Sequence, residues 1–359
     1  MRYLLRYGPG IEQDVVGILD SLGLETIFRL SPIGAVSFEA DDGFDTKVFD
    51  RVNATAWPAQ ELYTLDLKDE DVSDIREYNL TTKAETAIST PIGIIDHGVC
   101  SRHAALVSIK THLWIDGAKN FIDANVHPSP NDVAHGTFVT GIASGLRVGV
   151  APTAPTHIIE AGQVTLEDAF YNSMLVFTHK SIRCRVINIS LYAPQPIKLQ
   201  DNIFKYVRSQ GALPVVASGN SANKVVSPAD SPYAFSVGYC AHDGTILQDS
   251  GSELINGIQV PPVVALGLQV ESAYTQTCSP PYNLFTRSSG TSYAAPFVTG
   301  LAAVLFHVCP NATPDQIQEA ICVTCAPVKT PNKCRFGMVD PAAALRYVQM
   351  KCSRATTTT

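Results

Sequence analysis

Apolar residues Ile11, Val15, Ile18, Leu19 and Leu22 recur at three- and four-residue spacing, which places them on one face of a helix. Before them Tyr3–Tyr7 reads as a strand. After them come two β-rich runs broken at Ser31–Gly34, a second helix from about Phe44 to Leu62, and a last strand at Tyr63–Leu67. Residues 1–67 thus spell β-α-β-β-α-β, a compact two-layer α+β unit of ferredoxin-like order. Residues 68–90 turn polar, with an acidic cluster from Asp66 to Asp71, and read as a linker. From Pro91 onward, short runs such as Ile92–Ile95, Thr156–Glu160, Val186–Ile189, Leu213–Ala217 and Ala234–Val237 alternate with helical patterns. Runs that are apolar on both faces and separated by helices predict a mostly parallel buried sheet with helices on both sides, an α/β domain over 91–352. The Thr-rich end, 353–359, has no apolar periodicity and is expected to fray.

Composition sharpens this picture. A chain of 359 residues exceeds one ordinary core, in keeping with two unequal domains, and 45% apolar with 16% charged residues suits a globular protein. The formal charge of −7 comes without any block of Lys and Arg, so nucleic acid is not expected as a partner. No run of about twenty apolar residues predicts a membrane span. Met1–Tyr7 intersperses charges and lacks a leader's apolar stretch, which favours a cytoplasmic location over the secreted alternative. On that reading the nine cysteines are reduced thiols, with disulfides near the C-terminus as the alternative. Cys322 and Cys325 have the spacing of half a zinc site, but no second pair lies nearby. His97, His103, His112, His127 and His157 form no pair at helical ligand spacing with an acidic partner, so neither metal nor cofactor is expected.

Three segments carry candidate chemistry. A serine hydroxyl becomes a useful nucleophile only when a base takes its proton, and the base works best when a carboxylate fixes its tautomer. In open parallel sheets such groups collect at the carboxyl ends of strands. Asp96 follows the apolar strand Ile92–Ile95 directly; His135 opens the small-residue helix that begins Ala134-His-Gly-Thr; Ser292 stands at the start of the apolar helix after Gly290-Thr. At a helix N-terminus, free backbone N–H groups meet developing negative charge.

Each segment alone is common. Together, in this order, Gly93-Ile-Ile-Asp96-His-Gly98, His135-Gly-Thr-Phe-Val-Thr-Gly141 and Gly290-Thr-Ser292-Tyr-Ala-Ala-Pro296 resemble the aspartate, histidine and serine boxes of the subtilase family. Pro214–Asn220 resembles its oxyanion strand and Val186–Leu191 its substrate-lining strand, and the likeness runs over roughly residues 90 to 348. The resemblance implies a subtilisin-like serine endopeptidase acting on polypeptide: Asp96 orients the base, His135 is general base and then acid, Ser292 attacks, and Asn220 serves the oxyanion. It further implies a substrate groove walled by Ser190, Leu191, Tyr192 and Ala193 on one side and Ala217, Ser218 and Gly219 on the other. Tyr192 and Ala193 stand where relatives have glycines, so a restricted pocket for small side chains is expected. His97 and Tyr293 also depart from the family pattern, and the stretch His135–Gly149 lacks the length of a calcium-wrapping loop. By pattern, residues 1–67 resemble a subtilisin propeptide, an intramolecular inhibitor and chaperone, with a cut expected in the linker. The alternative readings are a catalytically silent scaffold on the same fold, and an esterase or acyl transferase using the same residues.

Overall fold

The computed structural model describes residues 1–64, 73–77, 87–116, 120–162 and 164–356. The N-terminal unit begins with strand β1 (Arg2–Arg6), helix α1 (Glu12–Ser21), β2 (Thr26–Leu30), β3 (Ala35–Glu39) and β4 (Thr55–Pro58), with sheet order β2-β3-β1-β4. Alternation along β1 explains how it is used. Tyr3 and Leu5 face a core built with Val15, Ile18, Leu19 and Phe38. Arg2 and Leu4 point the other way, and Leu4 joins a core shared with Phe170, Met174 and Phe204 of the larger domain. The strand is apolar on both faces because each is covered by a different layer.

Two expectations for this unit are corrected. The predicted helix over 44–62 is a short 3₁₀ segment, Thr46–Val52, which ends where Asn53 takes a left-handed conformation (φ 51°), leaving Thr55–Pro58 to pair with β1 instead. The final strand, expected over 63–67, starts two residues earlier as β5 (Glu61–Thr64) and pairs outside its own unit; residues 65–67 lie outside the described residues. The predicted linker also contains a strand, β6 (Ser73–Glu77).

The larger domain comprises β7 (Ile92–Asp96), β8 (Ile109–Asp116), β9 (Asn120–Asp123), α2 (Ala134–Ser144), β10 (Thr156–Glu160), β11 (Val164–Leu166), α3 (Glu167–Thr178), β12 (Val186–Ile189), β13 (Leu191–Tyr192) and α4 (Gln200–Ser209). It continues through β14 (Leu213–Ala217), β15 (Phe235–Cys240), the hairpin β16 (Glu253–Ile255) and β17 (Ile258–Val260), β18 (Val263–Leu266), β19 (Val270–Tyr274) and β20 (Leu284–Ser288). The chain closes with α5 (Thr291–Val308), α6 (Pro314–Val323), β21 (Gly337–Met338) and α7 (Pro341–Thr356). Nine strands form one sheet, order β21-β18-β15-β14-β12-β7-β10-β8-β9, parallel except at β8–β9. Helices α2 and α5 cover one face, while α3, α4 and the N-terminal sheet cover the other. The α/β architecture expected from the apolar runs is the one observed.

Helix α5 is long and apolar enough to cross a membrane by length and composition, but 78% of it is buried against the sheet, α2 and α7. Two disulfides correct the reading of all nine cysteines as reduced thiols. Cys100–Cys278 ties the loop after β7 to the β19–β20 connection, and Cys309–Cys352 ties the end of α5 to α7, with Cα separations of 5.2 and 6.0 Å that suit a bridge. Cys184, Cys240, Cys322, Cys325 and Cys334 are free.

Candidate active site at the strand ends

Asp96 ends β7, and its Oδ1 accepts the backbone N–H of His97 at 2.8 Å and bonds Nδ1 of His135 at 2.6 Å. Both side chains are almost wholly buried. Their approach depends on Gly136: a Cβ there would stand 2.3 Å from the Gly98 carbonyl and 3.1 Å from Asp96 Oδ1, so the residue after the histidine has no room for a side chain. The bond at Nδ1 leaves His135 Nε2 as the other ring nitrogen, buried and without a hydrogen-bond partner among the described residues.

Ser292 is the second residue of α5 and its Oγ is likewise buried without a partner. Inside the helix, Pro296 has no N–H to return to the carbonyl four residues earlier. That carbonyl belongs to Ser292 and accepts Ser190 Oγ instead, at 3.2 Å. Ser190 in turn receives Asn188 Nδ2 at 3.0 Å, and Asn188 Oδ1 accepts Thr299 Oγ1 at 3.1 Å. Asn188 on β12 therefore braces the start of α5, a role its sequence hides because it sits in an apolar run. Tyr293 packs its ring on Phe138 and His135, with centroids 4.6 and 5.7 Å away.

Asn220 follows β14 and lies beside Gly290, where φ is 151° and an added Cβ would sit 3.2 Å from the amide nitrogen. Its Oδ1 accepts both Thr291 N–H at 3.0 Å and Thr291 Oγ1 at 2.8 Å. With the oxygen so engaged on Thr291, Asn220 is held at the edge of the space that Ser292 also borders. That space is a cavity of about 150 Å³ lined by Ser190, Leu191, Tyr192, Ala217 and Gly219, together with Asn220 and Ser292. Ala193 and Ser218, expected on the same walls, lie off the cavity: Ala193 N–H bonds Ser227 O at 2.7 Å, and Ser218 Oγ donates to Gly251 O at 2.9 Å in the core.

The subtilase family profile (Peptidase_S8) matches residues 88–338. The chain belongs to the subtilase family of subtilisin-like serine proteases. It is 31% identical to Subtilisin Savinase of Lederbergia lenta over 258 residues, 66% of this chain and 87% of that protein. It is 29% identical to the subtilisin-like protease PopC of Myxococcus xanthus over 211 residues, 52% of this chain but only 44% of PopC. Among solved structures, fervidolysin of Fervidobacterium pennivorans, a keratinolytic enzyme related to subtilisin, shares the fold at TM-score 0.70 and 19% identity, over 96% of this chain and 60% of fervidolysin.

In this subtilase the strand that lines the cavity, β13, is paired by a strand of the N-terminal unit. Strand β5 lies between β11 and β13, antiparallel to both, with Tyr63 opposite Val164 and Tyr192, and Leu62 opposite Thr165. Leu62 is fully buried, and the rings of Tyr63 and Tyr192 meet at 5.8 Å. At the start of α3, Asp168 bonds Arg2 at 2.6 Å, and Glu167 accepts the N–H groups of Gln60 and Lys198 at 3.2 and 3.1 Å. Burial raises the pKa of both carboxyls, with Arg2 opposing the shift at Asp168. None of these contacts was legible beforehand, since each joins residues more than 30 positions apart.

Among the described residues no three His, Cys, Asp or Glu side chains are grouped to hold a metal ion. Burial pushes the thiols of Cys322 and Cys325 up to about 12.

Proposed function

We propose that the chain is a serine endopeptidase in which Ser292 attacks the scissile carbonyl of a polypeptide and His135 takes and later returns the proton. Asp96 fixes the imidazole with its proton on Nδ1 and stabilises the imidazolium. The Ser292 backbone N–H at the start of α5 and Asn220 Nδ2 receive the oxyanion. The observation that carries this reading is the Asp96–His135 bond, which leaves Nε2 unengaged; that nitrogen and Ser292 Oγ are both buried without a hydrogen-bond partner, and Tyr293 next to Ser292 packs on the His135 ring. The Tyr192 side of the cavity supports a preference for small residues before the cut.

The N-terminal unit acts as an intramolecular inhibitor: β5 fills the position an extended substrate would take, pairing along both edges as in strand addition. The cut expected between residues 68 and 90 falls largely outside the described residues. The two disulfides favour the secreted alternative over the cytoplasmic one, because such bridges persist in oxidising compartments.

Treating the full-length chain with a fluorophosphonate tests the chemistry. Labelling at Ser292 that Ser292→Ala abolishes is expected; a wild-type chain that stays unlabelled after its N-terminal unit is detached would be the silent scaffold. Digestion of casein by the labelled-competent protein separates a peptidase from an esterase.

A further inference from the structure

Glu160 ends β10 opposite Asp96 in the parallel register and is 1% exposed. Its Oε1 accepts the Val99 backbone N–H at 3.0 Å and also bonds Nε2 of His112, while Oε2 accepts Asn131 Nδ2 at 3.3 Å. His112 lies opposite Ile158 on β8, two residues from Glu160's own register position, so the two side chains share one face of the sheet. Both are buried.

A buried carboxylate facing an imidazole is an expensive way to hold a sheet together. Apolar residues of similar volume do that as well or better, because each buried ion sheds its hydration. What the pair grips accounts for its presence. Val99 is three residues past Asp96, and Asn131 is four residues before His135. The two loops already touch: a Cβ on Gly98 would lie 2.4 Å from the Asp132 carbonyl. Asp132 itself accepts Ala134 N–H at 2.8 Å at the entrance to α2. One carboxylate thus clamps the exit of β7 to the entrance of α2, the two elements that deliver Asp96 and His135, and His112 fixes the clamp from the neighbouring strand.

We propose that Glu160, locked by His112, is a positioning residue for the Asp96–His135 pair. It touches neither substrate nor reacting atoms and acts through Val99 and Asn131. The inference rests on Ser292 as nucleophile and His135 as its base, the reading given above.

The test is fluorophosphonate labelling of the full-length protein, followed to its plateau. The plateau counts folded, competent sites; the saturating rate reports activation of Ser292; the half-saturating concentration reports probe binding. Glu160→Ala is expected to slow the saturating rate about 10²-fold, the loss that a displacement near 1 Å brings, with half-saturation unchanged. Glu160→Gln is expected to recover most of that loss, because its amide oxygen still accepts the Val99 N–H and its amide nitrogen meets Asn131 once that side chain flips. Should Glu160→Ala fail to fold, Asn131→Ala removes one arm alone and is expected to slow the rate roughly tenfold. A normal rate per labelled site in these variants, with only the plateau or Tm lowered, overturns the proposal in favour of a purely structural role. So does a Gln variant as slow as Ala, which would make charge rather than position the agent. Failure of the wild type to label would be seen before any Glu160 variant is compared, and would remove the nucleophile reading together with this inference.

Discussion

Asp96 and Asp168 are both fully buried carboxylates, each bonded at 2.6 Å to one basic side chain, yet they are held in opposite ways. Asp96 meets His135, 39 residues away in the same domain, through small residues and a backbone donor that let two loops close on each other. Asp168 meets Arg2, 166 residues away, across a layer of apolar packing between two units. The imidazole can give up its proton and so suits a group that must cycle. The guanidinium cannot, so Arg2 makes a lasting tether. On the proposed function, the first pair serves turnover at the strand ends and the second holds the N-terminal unit against the start of α3.

Ser292→Ala separates the two pairs most strongly: it should abolish fluorophosphonate labelling and self-cleavage while leaving Arg2–Asp168 and the melting temperature intact. Arg2→Ala attacks the other pair. Leaving Asp168 buried without its cation should weaken docking of the N-terminal unit by about 3–5 kcal/mol, read as faster labelling of Ser292 and earlier proteolysis within residues 1–64. Equal labelling rates with and without Arg2 would count against the inhibitory role. Asn220→Ala should lower turnover about 10²–10³-fold with little change in substrate half-saturation, the loss expected of the proposed oxyanion donor.

The smallest effect is a dependence on pH. His103 is buried, its Nε2 bonds the Leu284 carbonyl at 2.8 Å and its Nδ1 accepts Ala105 N–H at 3.1 Å, so the neutral ring is the one that fits. Burial lowers its pKa. The unfolded chain therefore binds the extra proton first: this contribution is complete above about 6.5, the ordinary histidine value, and fades as pH falls toward the depressed one. Melting temperatures at pH 7.5 and 5 should differ by more in the wild type than in His103→Gln.

How much of this was readable from residues alone follows the range of each interaction. The strand–carboxylate, helix–histidine and helix–serine segments are local patterns, and the structure places all three at strand ends and helix starts as expected. Asn220 falls just after β14, where its segment placed it, and its bonds to Thr291 were not readable from that segment. The helix expected over 44–62 failed because Val48, Phe49 and Val52 keep helical spacing while Asn53 turns left-handed, a backbone choice that spacing does not record. Asn188 was invisible because a polar residue within an apolar strand reads as a lapse until Ser190 and Thr299 appear beside it. The bridge from Cys100 to Cys278 spans 178 residues, a pairing no spacing rule reaches.

The placement of β5 carries one more consequence. A slot that offers ladder partners along both edges admits a chain only when its backbone is straight and its own N–H and C=O groups are unengaged. Helices and closed sheets are refused before any side chain is inspected. On the proposed function, a substrate that takes the place of β5 must present a stretch that has come undone, and the stability of the target then sets the pace of its cleavage as firmly as the sequence around the bond.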